Sequence, residues 1–198
     1  MSTQYVLIDF ENVQPKNLEI LAKHPFSVFV FVGANQTKVS FDLAESMQLL
    51  GSNAKYIKIS GNGQNALDFH VAYYIGVLAE KDPKGLFHII SKDKGFDPLI
   101  RHLKGKGIEI RREADLAEIP VLRIKETTSD DEKIDSIVRN LAARGQSRPR
   151  KVKTLENTIN TLFTRKLEKK ELAALVGELQ KRKHIVIKQG NVSYKLPR

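Results

Sequence analysis

Tyr5-Val6-Leu7-Ile8-Asp9-Phe10-Glu11-Asn12 opens the chain with a continuous apolar run that ends on a carboxylate. An apolar run without polar alternation reads as a strand covered on both faces, the pattern of a parallel sheet. Four further runs of this kind follow: Val28-Phe29-Val30-Phe31-Val32, the weaker Tyr56-Ile57-Lys58-Ile59, Leu86-Phe87-His88-Ile89-Ile90, and Ile108-Glu109-Ile110. Helical stretches are expected between them at 15–23, 39–50, 65–79 and 98–106. The third is the clearest, because Leu67, Val71, Tyr74, Ile75 and Leu78 recur at helical spacing. Strand-helix alternation implies right-handed crossovers and a three-layer α/β domain around a central parallel sheet, placed at residues 1–125.

Composition narrows the class. Of the 198 residues 41% are hydrophobic and 28% charged, enough apolar material for a packed core. With no Cys, disulfide frameworks, thiolate zinc sites and thiol nucleophiles are excluded. The apolar runs are far shorter than the ~20 residues of a membrane span. The opening Met-Ser-Thr-Gln lacks the basic and apolar regions of a secretory signal, so a cytoplasmic soluble protein without membrane contact is expected.

The net charge of +10 is unevenly spread. Residues 1–125 carry 16 Lys and Arg against 14 Asp and Glu; 126–147 carry 3 against 5; 148–198 carry 14 against 4. The whole excess therefore sits in the last quarter, the electrostatic footprint of a polyanion binder.

That quarter also changes in pattern. Residues 126–150 read as a linker and a first helix, with Ser129 as N-cap and Ile134, Ile137, Val138 and Leu141 as its apolar stripe. Two more helices are marked by Leu155, Ile159, Leu162 and Phe163, and by Leu172, Leu175, Val176 and Leu179. Two alternating runs around a Gly190-Asn191 turn then form a hairpin. Residues 151–198 are expected as a small, basic, winged-helix-like α+β domain. Arg150, Lys151, Lys153, Lys169, Lys170, Lys181, Arg182 and Lys188 are its candidate phosphate contacts. A packing or oligomerisation module, giving a homodimer, is the alternative.

Three carboxylates converge if the sheet has the common order 3-2-1-4-5. Asp9 and Asp93 then follow neighbouring strands, and Asp68 lies in the early turns of a helix that starts at the same edge, after Gly61-Asn62-Gly63. Carboxylates sharing a site repel one another unless a cation lies among them, and hard oxygen ligands suit Mg²⁺ or Mn²⁺. Such an ion can activate water for in-line attack on a phosphodiester.

The same residues carry a resemblance. Val6-Leu7-Ile8-Asp9-Phe10-Glu11-Asn12-Val13 resembles the first motif of the NYN branch of PIN-like nucleases, Asn65-Ala66-Leu67-Asp68 the middle motif, and His88-Ile89-Ile90-Ser91-Lys92-Asp93 the later Ser-x-Asp motif. The likeness covers about residues 3–112. It implies a metal-dependent ribonuclease with Asp9, Asp68 and Asp93 as catalytic metal ligands. Asn12 would orient Asp9 or contact substrate, and Ser91 would hold the turn or reach a metal water. Asn65, one helical turn before Asp68, is a supporting candidate. Many family members carry an Asp where this chain has Gly95, and Asp97 is the candidate substitute ligand, or else a cap for the helix that Pro98 begins. Lys92 would offset repulsion between the acidic rim and a nucleic-acid backbone. The later apolar spacing resembles the winged-helix module often fused to such domains.

Other readings are weaker. Asp9-x-Glu11 also resembles the opening motif of haloacid-dehalogenase-type phosphatases, but the second position is Glu and the later Lys motif is missing. Glu11 is a fourth acidic group if the strand continues to it, and a loop residue otherwise. The expected partner is RNA. A nuclease of structured DNA, and a catalytically weak or inactive PIN-like module that binds RNA or a protein, are the alternatives.

Overall fold

The computed structural model describes residues 2–15 and 18–196. The five apolar runs form β1 (Gln4–Asp9), β2 (Phe26–Val32), β3 (Ala54–Lys58), β4 (Leu86–Ile90) and β5 (Glu109–Glu113), all parallel, in the order β3-β2-β1-β4-β5. Order reverses between β1 and β4, so a crevice opens there at the carboxyl edge. The register pairs Ile8 with Ile90, which levels the two strand ends and sets Asp9 beside Ser91.

Three α-helices cover this sheet: α1 (Phe41–Leu50), α2 (Ala66–Lys81) and α3 (Asp97–Gly105). Ser40 caps α1 by accepting from the Leu43 N–H at 3.2 Å. α2 buries Leu67, Val71 and Ile75 against Leu7, Phe31, Phe87 and Ile89 of the sheet, with Phe96 and Ile100 closing the same core. The helix expected at 15–23 is a 3-10 turn over Leu18–Lys23, with residues 16 and 17 outside the described residues. Pro15 and Pro25 bracket that stretch, and a residue before proline is disfavoured in the α region. β5 runs on through Arg111 and Arg112, because the ladder to β4 continues while only Ile110 and Glu113 are buried.

The chain divides into two units between Leu116 and Ala117. The second holds α4 (Asp130–Ala143), α5 (Val152–Thr161), α6 (Lys169–Lys181) and an antiparallel hairpin of β6 (Ile185–Lys188) and β7 (Asn191–Tyr194). Its core joins Ile124, Ile134, Ile137 and Leu141 to Leu155, Ile159, Leu179, Ile185 and Val192. Ile124 and α4 thus pack with the later helices. Ser129 and Glu132 complete a capping box at the start of α4. The hairpin turn falls on Gln189-Gly190, one residue before the expected Gly190-Asn191. Both have positive φ (48° and 74°), as a two-residue type I′ turn requires, and Asn191 pairs with Lys188. Lys151 bridges to Asn191, adding the segment before α5 to the hairpin. Among the described residues no helix is long and apolar enough to cross a membrane.

Candidate active site

Asp9 is the last residue of β1 and is 4% exposed. Its Oδ2 accepts from the fully buried Ser91 hydroxyl at 2.7 Å, and its Oδ1 from the Asn12 N–H at 3.2 Å. Ser91 does two jobs, since its Oγ also accepts from the Asp93 N–H at 3.0 Å. One hydroxyl therefore ties the end of β1 to the loop after β4. Asp93 is fixed in turn by the Gly95 N–H, which donates to its Oδ1 at 2.7 Å.

Asp68 reaches the same place from α2. Asp9, Glu11, Asn12, Asn65, Asp68 and Asp93 line one cleft of about 340 Å³, together with Asn35 and the loop Gly61-Asn62-Gly63. No Lys, Arg or His is among its lining residues. Burial raises the pKa of Asp68, and the charges of Asp9, Asp93 and Glu11 raise it further, to about 6. Burial also pushes Asp9 up, against the lowering effect of the Ser91 hydroxyl and the Asn12 and Glu11 N–H groups. Burial is the larger cause at both residues, and the neighbouring carboxylate charges act in the same direction.

Two loops shape the walls. Asn65 caps α2 from a left-handed conformation (φ 62°) without a side-chain capping bond. His70 accepts from the Ser60 N–H at 3.2 Å through Nε2 and approaches the Ala66 carbonyl at 2.7 Å through Nδ1, pinning the incoming loop to the first turn of α2. The Asn62 amide donates to Asn35 Oδ1 at 3.3 Å, joining the loops after β2 and β3. Gly33 makes room for Glu11, because a Cβ there would lie 1.9 Å from Glu11 Oε1.

Asp97 is not among the residues that line the cleft. Arg112 of β5 holds its carboxylate through Nε at 2.8 Å and Nη2 at 3.3 Å, and also donates to the Ser91 carbonyl at 3.2 Å. This pair lowers the pKa of Asp97, chiefly through the Arg112 hydrogen bond. Nor does Asp97 cap α3, of which it is the first residue. At Gly95 an added Cβ would lie 3.2 Å from Asp93 Oδ1. Among the described residues, no three His, Cys, Asp or Glu side chains converge closely enough to form a metal-binding group. The carboxylates share a cleft rather than a cage.

Sequence reasoning left Glu11 open and missed Asn35 and Asn62. Glu11 lies beyond the strand, so alternation does not orient it; the missing side chain at Gly33 is the signal that space was kept for it. Asn62 stands in the glycine loop that the sequence marks as flexible, but its partnership with Asn35 is a tertiary contact.

The basic candidates of the second unit divide. Arg150, Lys151, Lys153, Lys169, Lys170 and Lys188 are exposed, as is Lys92 beside the cleft residues of the first unit. Lys181 lies 3.7 Å from Glu178. Arg182 is engaged by Glu178 at 2.8 Å and by Asp131. Arg148, part of the same basic run, donates to the Leu141 and Ala142 carbonyls at 2.8 and 3.0 Å, closing the end of α4.

A family model described as PIN domain (PIN7) matches residues 3–113, more than half of the chain, and the protein belongs to that family. A PIN domain is a nuclease-type fold, and such domains generally act as hydrolases with divalent metals. No curated protein and no solved structure matches the chain.

Proposed function

We propose that the protein is a metal-dependent endoribonuclease whose cleft binds Mg²⁺ or Mn²⁺ through Asp9, Asp68 and Asp93. One observation carries the reading. Four carboxylates from three separate stretches of sequence, Asp9 and Glu11, Asp68, and Asp93, line one cleft with no Lys, Arg or His among its lining residues, and burial together with their charges raises the pKa of Asp68. The donors are hard oxygens, as a divalent ion of this type requires. The open arrangement suits Mg²⁺, which is commonly held by one or two carboxylates while it keeps several waters and substrate phosphate oxygens. A bound ion supplies charge to offset the phosphoryl oxygens and lowers the pKa of water.

The chain's own residues position that chemistry. Ser91 and the Asn12 N–H hold Asp9 in one orientation. The Gly95 N–H holds Asp93 through Oδ1. Arg112 anchors the carbonyl of Ser91 and the start of α3, so the loop between them keeps its shape. We assign the second unit to RNA binding as a winged-helix-like module, through Arg150, Lys151, Lys153, Lys169, Lys170 and Lys188. Lys181 is a lesser contributor, and Arg182 is reserved for its ion pairs.

A second reading, an RNA-binding PIN module without turnover, is favoured by the missing cage and by Gly95. A gel assay on labelled single-stranded RNA, structured RNA and matched DNA separates them, in Mn²⁺, Mg²⁺ or EDTA. Metal-dependent RNA products that fall by about 100-fold or more in Asp9→Asn and Asp93→Asn are expected. Salt-sensitive binding with no metal-dependent product would move the assignment to the binding module. Products from DNA alone would replace the substrate.

A further inference from the structure

The outward face of α2 has no part in the cleft chemistry, yet it is built unusually. Between Asp68 and Glu80 the helix carries no Lys, Arg, Asp or Glu. Leu67, Val71 and Ile75 account for its buried stripe. On the opposite side Phe69 is 70% and Tyr73 66% exposed. Four residues apart, they lie one above the other along the helix, about 6 Å apart in rise. Tyr73 is also held in place: its ring meets Tyr74 edge-on at 5.6 Å, and Tyr74 meets Phe31 of the sheet edge-on at 5.3 Å. Two large exposed rings on one helix face, one of them packed on a tyrosine that meets the core, form a contact surface.

We propose that Phe69 and Tyr73 form a stacking platform for unpaired bases of a nucleic-acid strand that enters the carboxylate cleft. The inference rests on the nuclease reading above and names its substrate class: a single strand, not a duplex. Continuity is the first argument. Asn65 and Asp68 of the first turn of α2 line the cleft, and Phe69 is the next residue, on the outward side of that turn. A strand leaving the cleft over this wall meets Phe69 and then Tyr73. Chemistry is the second. The face carries no Lys, Arg, Asp or Glu, and an aromatic face accepts any base by stacking, whatever the sequence. A duplex keeps its bases stacked on one another and has none to offer.

The test uses the full chain in EDTA and follows fluorescence anisotropy of labelled oligouridylate, an abasic strand of equal length and an RNA duplex. Phe69→Ala and Tyr73→Ala are each expected to weaken oligouridylate binding about tenfold. Abasic-strand and duplex binding should hold. Phe69→Tyr and Tyr73→Phe should retain affinity, and Leu49→Ala, an exposed apolar residue of α1, should have no effect. Unchanged oligouridylate binding in the alanine variants overturns the platform. So does equal weakening on the abasic strand, or a wild-type dimer in light scattering that the same variants dissociate, which would make the face an interface between copies. Cleavage in Mn²⁺ is read on the same proteins. A base-dependent loss without any cleavage removes the nuclease reading and leaves the platform standing. Cleavage and binding both indifferent to the two alanines remove the platform alone.

Discussion

Asp68 shows how far a single residue reports on its surroundings. Its folded pKa, about 6, lies above the ordinary carboxylate value, so folding favours its protonated form. Its contribution to stability is full below the ordinary carboxylate range and is lost as pH rises through about 6. In chelator, wild type should lose thermal stability between pH 4 and 7 more steeply than Asp68→Asn, and the variant should melt higher at pH 7. Parallel curves in calorimetric scans would dismiss the raised pKa. Ser91 is the opposite case, a neutral group that the fold cannot spare. Ser91→Ala leaves the buried Asp9 carboxylate without its hydroxyl and the Asp93 N–H without its acceptor. A loss of about 1–3 kcal/mol in urea unfolding is expected. Asp93→Asn should cost little stability, because an amide oxygen can still accept from the Gly95 N–H.

Elements set where those residues can act. β1 and β4 end level, so two carboxylates separated by most of the domain's sequence meet without any local signal between them. β5 supplies Arg112, and with it the clamp on Ser91 and Asp97. Arg112→Leu should free the loop between β4 and α3 and speed amide hydrogen exchange at residues 93–97, with β1 unaffected. Unchanged exchange there would show that the hydroxyl of Ser91 suffices. In the second unit, Ser129→Ala removes the side-chain half of a capping box and should cost about 1 kcal/mol in urea unfolding. The elements were largely legible because each has a simple period: apolar runs for the strands, every third or fourth position for the helices. The 3-10 turn before β2 and the hairpin turn at Gln189-Gly190 were misplaced, since proline restriction and positive φ act over one or two residues.

At the scale of the molecule, charge is unevenly divided. The PIN domain concentrates negative charge in its cleft, while the excess positive charge lies in residues 148–198. Replacing Lys151, Lys153, Lys169 and Lys170 with Gln should weaken RNA binding and flatten the dependence of log K on log salt by about 3. A slope equal to wild type would place the phosphate contacts elsewhere. By itself the sequence determined the strand-helix alternation and marked the three carboxylates, because hydrophobic periodicity leaves few fold classes; the sheet order entered it only as a condition, which the structure met. The sequence also determined the uneven charge, which is a matter of counting. Only the tertiary structure decided that Glu11, Asn35 and Asn62 join the cleft, that Asp97 and Arg182 are engaged in ion pairs, and that Phe69 and Tyr73 face solvent. Those outcomes depend on which side chains meet across distant loops and strands, and a contact between residues far apart in sequence leaves no periodic trace in it.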